Sequence, residues 1–238
     1  KRSRISKKAL KGIQTLISVG APIETRVAPR KSRRIYITDT EINHLAHKLA
    51  HPTEIIIPTH FDTQLAKPLM RKTAIFHKID GLHGHVHLHP HIRPKTVSNP
   101  PKVMVRRLLG DGIHDSDEIL QIPENWLEGL SIFTADENEV TGNPWNLIQN
   151  VANMDGVITQ SVTLASEAVL LGVPTLLISK AKRGFLDRLK SDGYPLFVAK
   201  EKDESILAQW LAGIHLTSEL ELPDWPNTRS ELLEIIKH

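Results

Sequence analysis

Residues 155–174, DGVITQSVTLASEAVLLGVP, read as a buried strand, a small polar turn, an amphipathic helix and the start of a second strand. The turn, Thr159-Gln160-Ser161, falls where the strand ends and the helix begins. In an open α/β sheet, ligands bind outside the carboxyl ends of the strands. The N–H groups at a helix start, helped by the helix dipole, favour a phosphate there. Thr163 and Glu167 are four residues apart and share a helix face, while Leu164, Ala168 and Leu171 form the apolar stripe. The layout suits a phosphate at the turn and a sugar hydroxyl on the carboxylate. Ser161 is equally suited to capping the helix.

Outward from this segment, strand and helix alternate. Towards the N-terminus, residues 16–19 are a short apolar run ending in Gly20-Ala21-Pro22. Pro22 fits a first helical position, with Glu24 in the favourable first turn. Residues 34–38 (RIYIT) read as a strand, residues 41–49 as a helix with Ile42, Leu45, Ala46 and Leu49 on one face, and residues 53–58 (TEIIIP) as the next strand. A proline-rich stretch, residues 91–101 (HIRPKTVSNPP), reads as a linker. Beyond it, strands are expected at 102–107, 130–134, 156–159, 175–179 and 195–198. Helices are expected at 145–154, 162–171, 184–191, 204–212 and 229–236. The fold class is therefore α/β with parallel sheets. The domain organisation is a partial N-terminal Rossmann-like domain (1–90), a linker (91–101), a second Rossmann-like domain (102–222) and a C-terminal helix (223–238).

The pattern D-G-V-I-T-x-S-x-T-x-x-x-E-A-x-x-L-G-V-P in residues 155–174 resembles the nucleotide-sugar site in the C-terminal domain of GT-B glycosyltransferases. It is similar to the corresponding site of UDP-N-acetylglucosamine 2-epimerases, and also to an uncharacterised family of prokaryotic glycosyltransferase-like proteins. Residues 18–28 (SVGAPIETRVA), 37–58 (ITDTEINHLAHKLAHPTEIIIP), 88–94 (LHPHIRP), 105–117 (VRRLLGDGIHDSD) and 184–197 (GFLDRLKSDGYPLF) carry the same likeness in the same order. The resemblance implies a GT-B architecture of two Rossmann-like domains with a UDP-type sugar donor in an interdomain cleft. The diphosphate would lie on Ser161 and Thr163, beside Gln160, and the ribose on Glu167. His114, in the loop GDGIHDSD, would be a proton donor or diphosphate ligand. Arg106 (or its neighbour Arg107, which faces the opposite way on a strand) and Arg188 would neutralise charge. No bound metal and no cofactor is expected, the nucleotide sugar being the substrate. Against the family pattern the N-terminal domain is incomplete, short of roughly its first two βα units. Transfer of the sugar to an acceptor is the leading expectation. 2-Epimerisation of the nucleotide sugar, or a non-catalytic binding subunit, are the alternatives.

Asp39, Glu41 and His44 follow the 34–38 strand at a carboxyl end. Asp39 and Glu41 are the candidates for a general base on an acceptor hydroxyl, or for acid and base groups around C2. Glu41 and His44, three apart, are expected to share a helix face. His83, His85, His87, His89 and His91 alternate in sequence, which on a strand would put all of them on one face. His-x-His is a zinc-ligand spacing. The favoured reading is nevertheless a polar interdomain strand.

Composition bounds the rest. The chain has 238 residues, 40% hydrophobic and 24% charged, which is enough for a sizeable core in a globular protein. It has no cysteine, which excludes disulfides and thiol catalysis. Aromatics are 5%, too few to favour a base-stacking surface, so nucleic acid is not an expected partner. With no membrane-length apolar run and no secretory signal, cytoplasmic residence is expected. Net charge is +3, but residues 1–34 hold eleven Lys or Arg against one acid, Glu24. That asymmetry allows a peripheral anionic membrane surface or a protein partner.

Overall fold

The structure is a computed structural model and describes residues 1–81, 83–88, 96–108, 120–135, 146–217 and 221–237. It divides into two compact units: Lys1–Val86 with Arg183–Phe185 and Pro226–His238, and His87–Lys182 with Leu186–Trp225.

Unit 1 begins with helix α1 (Arg2–Ala9) and builds a four-stranded sheet from β1 (Thr15–Val19), β2 (Arg33–Ile37), β3 (Glu54–Pro58) and β4 (Ile75–Ile79). The strands lie in the order β1-β2-β3-β4, all parallel. Helices α2 (Pro22–Val27), α3 (His44–Leu49) and α4 (Lys67–Met70) connect them in turn. Pro22 does start α2, preceded by Gly20 at a φ of +58°, a conformation glycine adopts without a Cβ penalty. Tyr36, Ile55 and Ile57 pack with Ala50, Phe61, Ala66 and Leu69 on one face of the sheet.

Helix α3 departs from expectation. Asn43 accepts a bond from Ala46 N and caps the helix at His44, so Glu41 and Ile42 lie before it. Its buried face is Ala46, His47 and the following Ala50, whereas Leu45 is 66% exposed. The histidine run is a second correction. Residues His83–His87 form helix α5, not a strand. The buried positions Gly84, His85 and Leu88 recur at helical spacing, so packing overrides the alternation of histidines. His89 and His91 lie outside the described residues.

Unit 2 contains β5 (Lys102–Arg106), β6 (Ser131–Thr134), α6 (Leu147–Ala152), β7 (Gly156–Thr159), α7 (Val162–Leu170), β8 (Thr175–Ile178), α8 (Gly184–Ser191, from Leu186 onward), β9 (Leu196–Ala199) and α9 (Glu204–His215). Its five strands are parallel in the order β6-β5-β7-β8-β9. Each strand from β7 on is nearly all apolar, as a sheet covered on both faces requires. Trp210 of α9 is fully buried and donates from Nε1 to Pro174 O at 2.9 Å. A Cβ on Gly156 would stand 2.8 Å from the Trp210 ring and 2.7 Å from Ile214, so a glycine there lets α9 approach β7.

Helix α10 (Thr228–Lys237) returns to unit 1. Its Leu232, Ile235 and Ile236 cover Ile35, Ile56 and Ile79 on the sheet face opposite α2–α4. Arg33 secures it, donating to the carbonyls of Ile235 and Ile236 while its Nη2 bonds Glu54 Oε2 at 2.9 Å. Among the described residues, no helix is long and apolar enough to cross a membrane.

Candidate functional site

The order of the second sheet sets the site. From β5 the chain moves to β6 on one side, then crosses to β7 on the other side of β5. The carboxyl ends of β5 and β7 therefore flank a topological switch point, the place where open α/β sheets bind ligands. Arg106 ends β5 and is paired in register with Thr159, which ends β7.

The turn after β7 is fixed by its own side chains. Thr159 Oγ1 accepts from Ser161 N at 2.9 Å, a local turn that aims the chain into α7. Ser161 caps α7, its Oγ accepting from Leu164 N at 3.4 Å. The first two N–H groups of the helix, on Val162 and Thr163, have no acceptor within the helix. Thr163 is exposed and Ser161 half-buried, so hydroxyls and N–H donors share this end of the helix. One turn on, Glu167 Oε1 lies 3.3 Å from Nε2 of His87. The sequence did not single out that partner, because a contact between residues so far apart leaves no local signal.

Gln160 is bonded to two backbone groups of unit 2. Its side chain is buried, with Oε1 accepting from Leu108 N at 2.7 Å and Nε2 donating to Leu120 O at 2.5 Å. One amide thus joins the backbone at Leu108 to the backbone at Leu120. His114 lies outside the described residues. Arg106 Nη1 donates to Ala135 O at 3.3 Å, across to the end of β6, and Arg107 approaches Glu124 at 4.0 Å. Arg188 pairs with Asp192 on its own helix. The structure thus brings Ser161, Thr163, Glu167 and the end of β5 to one switch point, and engages Arg188 elsewhere.

In unit 1, Asp39 is half-buried and accepts from Thr40 Oγ1 at 3.1 Å, while Asn43 takes the cap. Glu41 is fully buried: its Oε1 accepts from Asp62 N at 3.2 Å and Gly184 N at 3.1 Å. Its Oε2 has no partner among the described residues. Burial pushes this carboxyl above its ordinary range, against the pull of those N–H bonds. The expected pairing of Glu41 with His44 on a helix face does not form, since His44 bonds Leu65 O instead. His47, not anticipated, is fully buried and lies 2.9 Å from Thr40 O and 3.2 Å from Glu41 O. Both partners are carbonyls, so Nε2 carries the proton, and burial holds the ring's pKa below the ordinary histidine value.

No family model and no curated protein matches the chain. Chemically, the switch point of unit 2 offers donors to an anion at Ser161–Thr163 and an acceptor carboxylate one turn away. Among the described residues, no group of three or more His, Asp or Glu side chains is placed to hold a metal ion.

Proposed function

We propose that this chain is a glycosyltransferase-like protein of GT-B type whose second unit binds a UDP-type nucleotide sugar. The observation that carries the reading is the start of α7, capped by Ser161, at the β5/β7 switch point. A diphosphate there takes N–H bonds from the first turn and the favourable end of the helix dipole. Charged hydrogen bonds of this kind contribute about 1.5–3 kcal/mol each. Glu167, held by His87, accepts the hydroxyls of the ribose. Glu41, enclosed by protein in unit 1, is not proposed as a base.

Calorimetric titration with UDP, UDP-N-acetylglucosamine and ADP tests the reading. The expected result is binding of both uridine ligands, with Glu167→Ala weakening UDP about tenfold or more (about 1.4 kcal/mol). Absence of UDP binding by the wild type, or an unchanged affinity in the variant, overturns it. Incubating the protein with UDP-N-acetylglucosamine alone and analysing the sugar separates transfer from 2-epimerisation.

A further inference from the structure

Cations from four segments of unit 1 meet at the turn between α3 and β3. Hydrogen bonds fix their convergence. His51 N, in the turn, donates to Thr25 Oγ1 at 3.3 Å, beside Arg26 in the last turn of α2. Thr53, two residues on, accepts from Arg34 N at 2.8 Å and donates to Arg34 O at 3.3 Å, which ties the turn to the second residue of β2. Lys72, just before β4, donates from Nζ to Lys48 O at 2.8 Å. Arg26, Arg34, His51 and Lys72 therefore gather about one short stretch of backbone, towards the amino ends of β2, β3 and β4.

These charges are not matched by acids. Arg2 pairs with Glu24, Arg33 with Glu54 and Arg188 with Asp192. Among the described residues, Arg26, Arg34, His51 and Lys72 make no salt bridge. The Nε of Arg34 is buried and has no hydrogen-bond partner among the described residues, a costly state for a donor. Partial loss of solvent, and then the charges of Lys72, Arg26 and Arg34, hold the His51 ring below the ordinary histidine value. Loss of solvent and then Arg26 act on the Lys72 ammonium in the same direction. The groups thus feel one another as like charges. Cations at a helix C-terminus complement its dipole, and Lys72 does so at Lys48 O. Arg34 lies on a strand and His51 beyond the end of α3, so the dipole does not account for them.

We propose that this cluster is a binding site for the phosphate group of a phosphorylated ligand. A carboxylate brings one charge and two oxygens, whereas a phosphate monoester brings a charge of about −1.5 to −2 near neutral pH and three acceptor oxygens. Those oxygens suit cations that arrive from several elements, the Arg34 guanidinium supplying paired planar donors and Lys72 a point charge. The site lies in unit 1 and does not rest on the nucleotide-sugar reading, which concerns unit 2.

The probe is inorganic phosphate, titrated near neutral pH against chloride of equal ionic strength. The His51 ring, assigned by the loss of its signal in His51→Gln, is followed by proton NMR on the full chain. Phosphate should shift the ring signal saturably and raise the pKa of the imidazole, since a nearby anion favours its charged form, and chloride should not. Arg34→Gln should weaken phosphate at least about tenfold while circular dichroism stays that of the wild type. Arg26→Gln, at an exposed position, should weaken it about threefold. Vesicles containing phosphatidic acid, compared with phosphatidylcholine alone, separate the sources of the group. Co-sedimentation that phosphate competes away and Arg34→Gln abolishes assigns it to a lipid headgroup. Phosphate binding without co-sedimentation assigns it to a soluble ligand, and either result supports the site. Equal shifts with phosphate and chloride, which mean an adventitious ion only, overturn the proposal. So does an absence of phosphate binding, binding that leaves the His51 ring unmoved, or binding that survives both arginine variants.

Discussion

Glu167 on α7 and His87 at the end of α5 are joined, with carboxylate Oε1 and imidazole Nε2 3.3 Å apart. Glu167 is thereby aimed by a residue eighty positions earlier, and a helix-surface carboxylate becomes an oriented acceptor. If it receives ribose hydroxyls, affinity should depend on them. The wild type is expected to bind UDP about tenfold tighter than 2′-deoxy-UDP, since an acceptor left unpaired costs about 1–3 kcal/mol. Glu167→Gln should shrink that ratio towards one, and His87→Ala should reduce it partway. Calorimetry with the two nucleotides measures it. An unchanged ratio in His87→Ala, with UDP still bound, would leave the imidazole no role in orienting the carboxylate.

Burial of Glu41 makes a pH prediction. Its folded pKa is raised, so its stabilising effect is complete below the ordinary glutamate value of 4.5 and is lost as pH rises through the folded value. Glu41→Gln keeps an acceptor for Asp62 N and Gly184 N and removes the titration. The urea midpoint of the wild type should therefore fall relative to Glu41→Gln as pH is raised above about 4.5. Glu41→Ala leaves both N–H groups unpaired, at about 1–3 kcal/mol each. A wild type and Glu41→Gln with parallel pH profiles would show that the carboxyl titrates as it does in the unfolded chain.

The opposite sign holds at Glu54. Its bond to the Arg33 guanidinium, with His77 also in contact, keeps the carboxyl below its ordinary range. That stabilisation is present above the unfolded value and is lost as pH falls through the folded one. Arg33→Met leaves Glu54 with His77 alone and removes the partner of two carbonyls of α10. The expected loss is about 2 kcal/mol, below the ~3–5 kcal/mol of a fully enclosed pair because part of the guanidinium is in water. Chemical denaturation at pH 7 measures the loss. Repeating it near pH 3 should show a smaller difference.

The outcome at particular residues shows which information the sequence holds locally. Strand β7 and helix α7 were legible because Gly156–Thr159 is short, apolar and bounded by turn residues, and because Val162–Leu170 carries a helical stripe. The alternation of such segments was enough for two parallel sheets. Strand β4 was not read, because His77 and Lys78 break its apolar pattern, and it is paired to the sheet along Glu54–Pro58. Helix α3 starts at His44 and not at residue 41 because the Asn43 side chain accepts from Ala46 N and makes the cap. Glu41, His47 and Gln160 carried the right chemistry for a site, yet their partners are backbone groups, two of them on distant segments. Contacts of that kind leave no spacing to find.

Gln160 offers the sharpest separation of positioning from ligand contact. Its amide is the bridge between Leu108 N and Leu120 O, and it is buried. Gln160→Leu fills a similar volume but leaves both groups without that partner, at about 1–3 kcal/mol each. Hydrogen exchange should show the Leu108 amide losing protection while amides within β7 and β8 keep theirs, since those bonds lie in the sheet. UDP affinity should fall by less than in Glu167→Ala, because the donors at Ser161–Thr163 remain in place. Gln160→Glu sharpens the contrast: Oε1 still accepts from Leu108 N, but the second oxygen faces the Leu120 carbonyl with no donor. Retained protection at Leu108 with a loss of folding stability is expected for that variant. Equal loss of UDP binding in both variants and in Glu167→Ala would instead place the amide on the ligand.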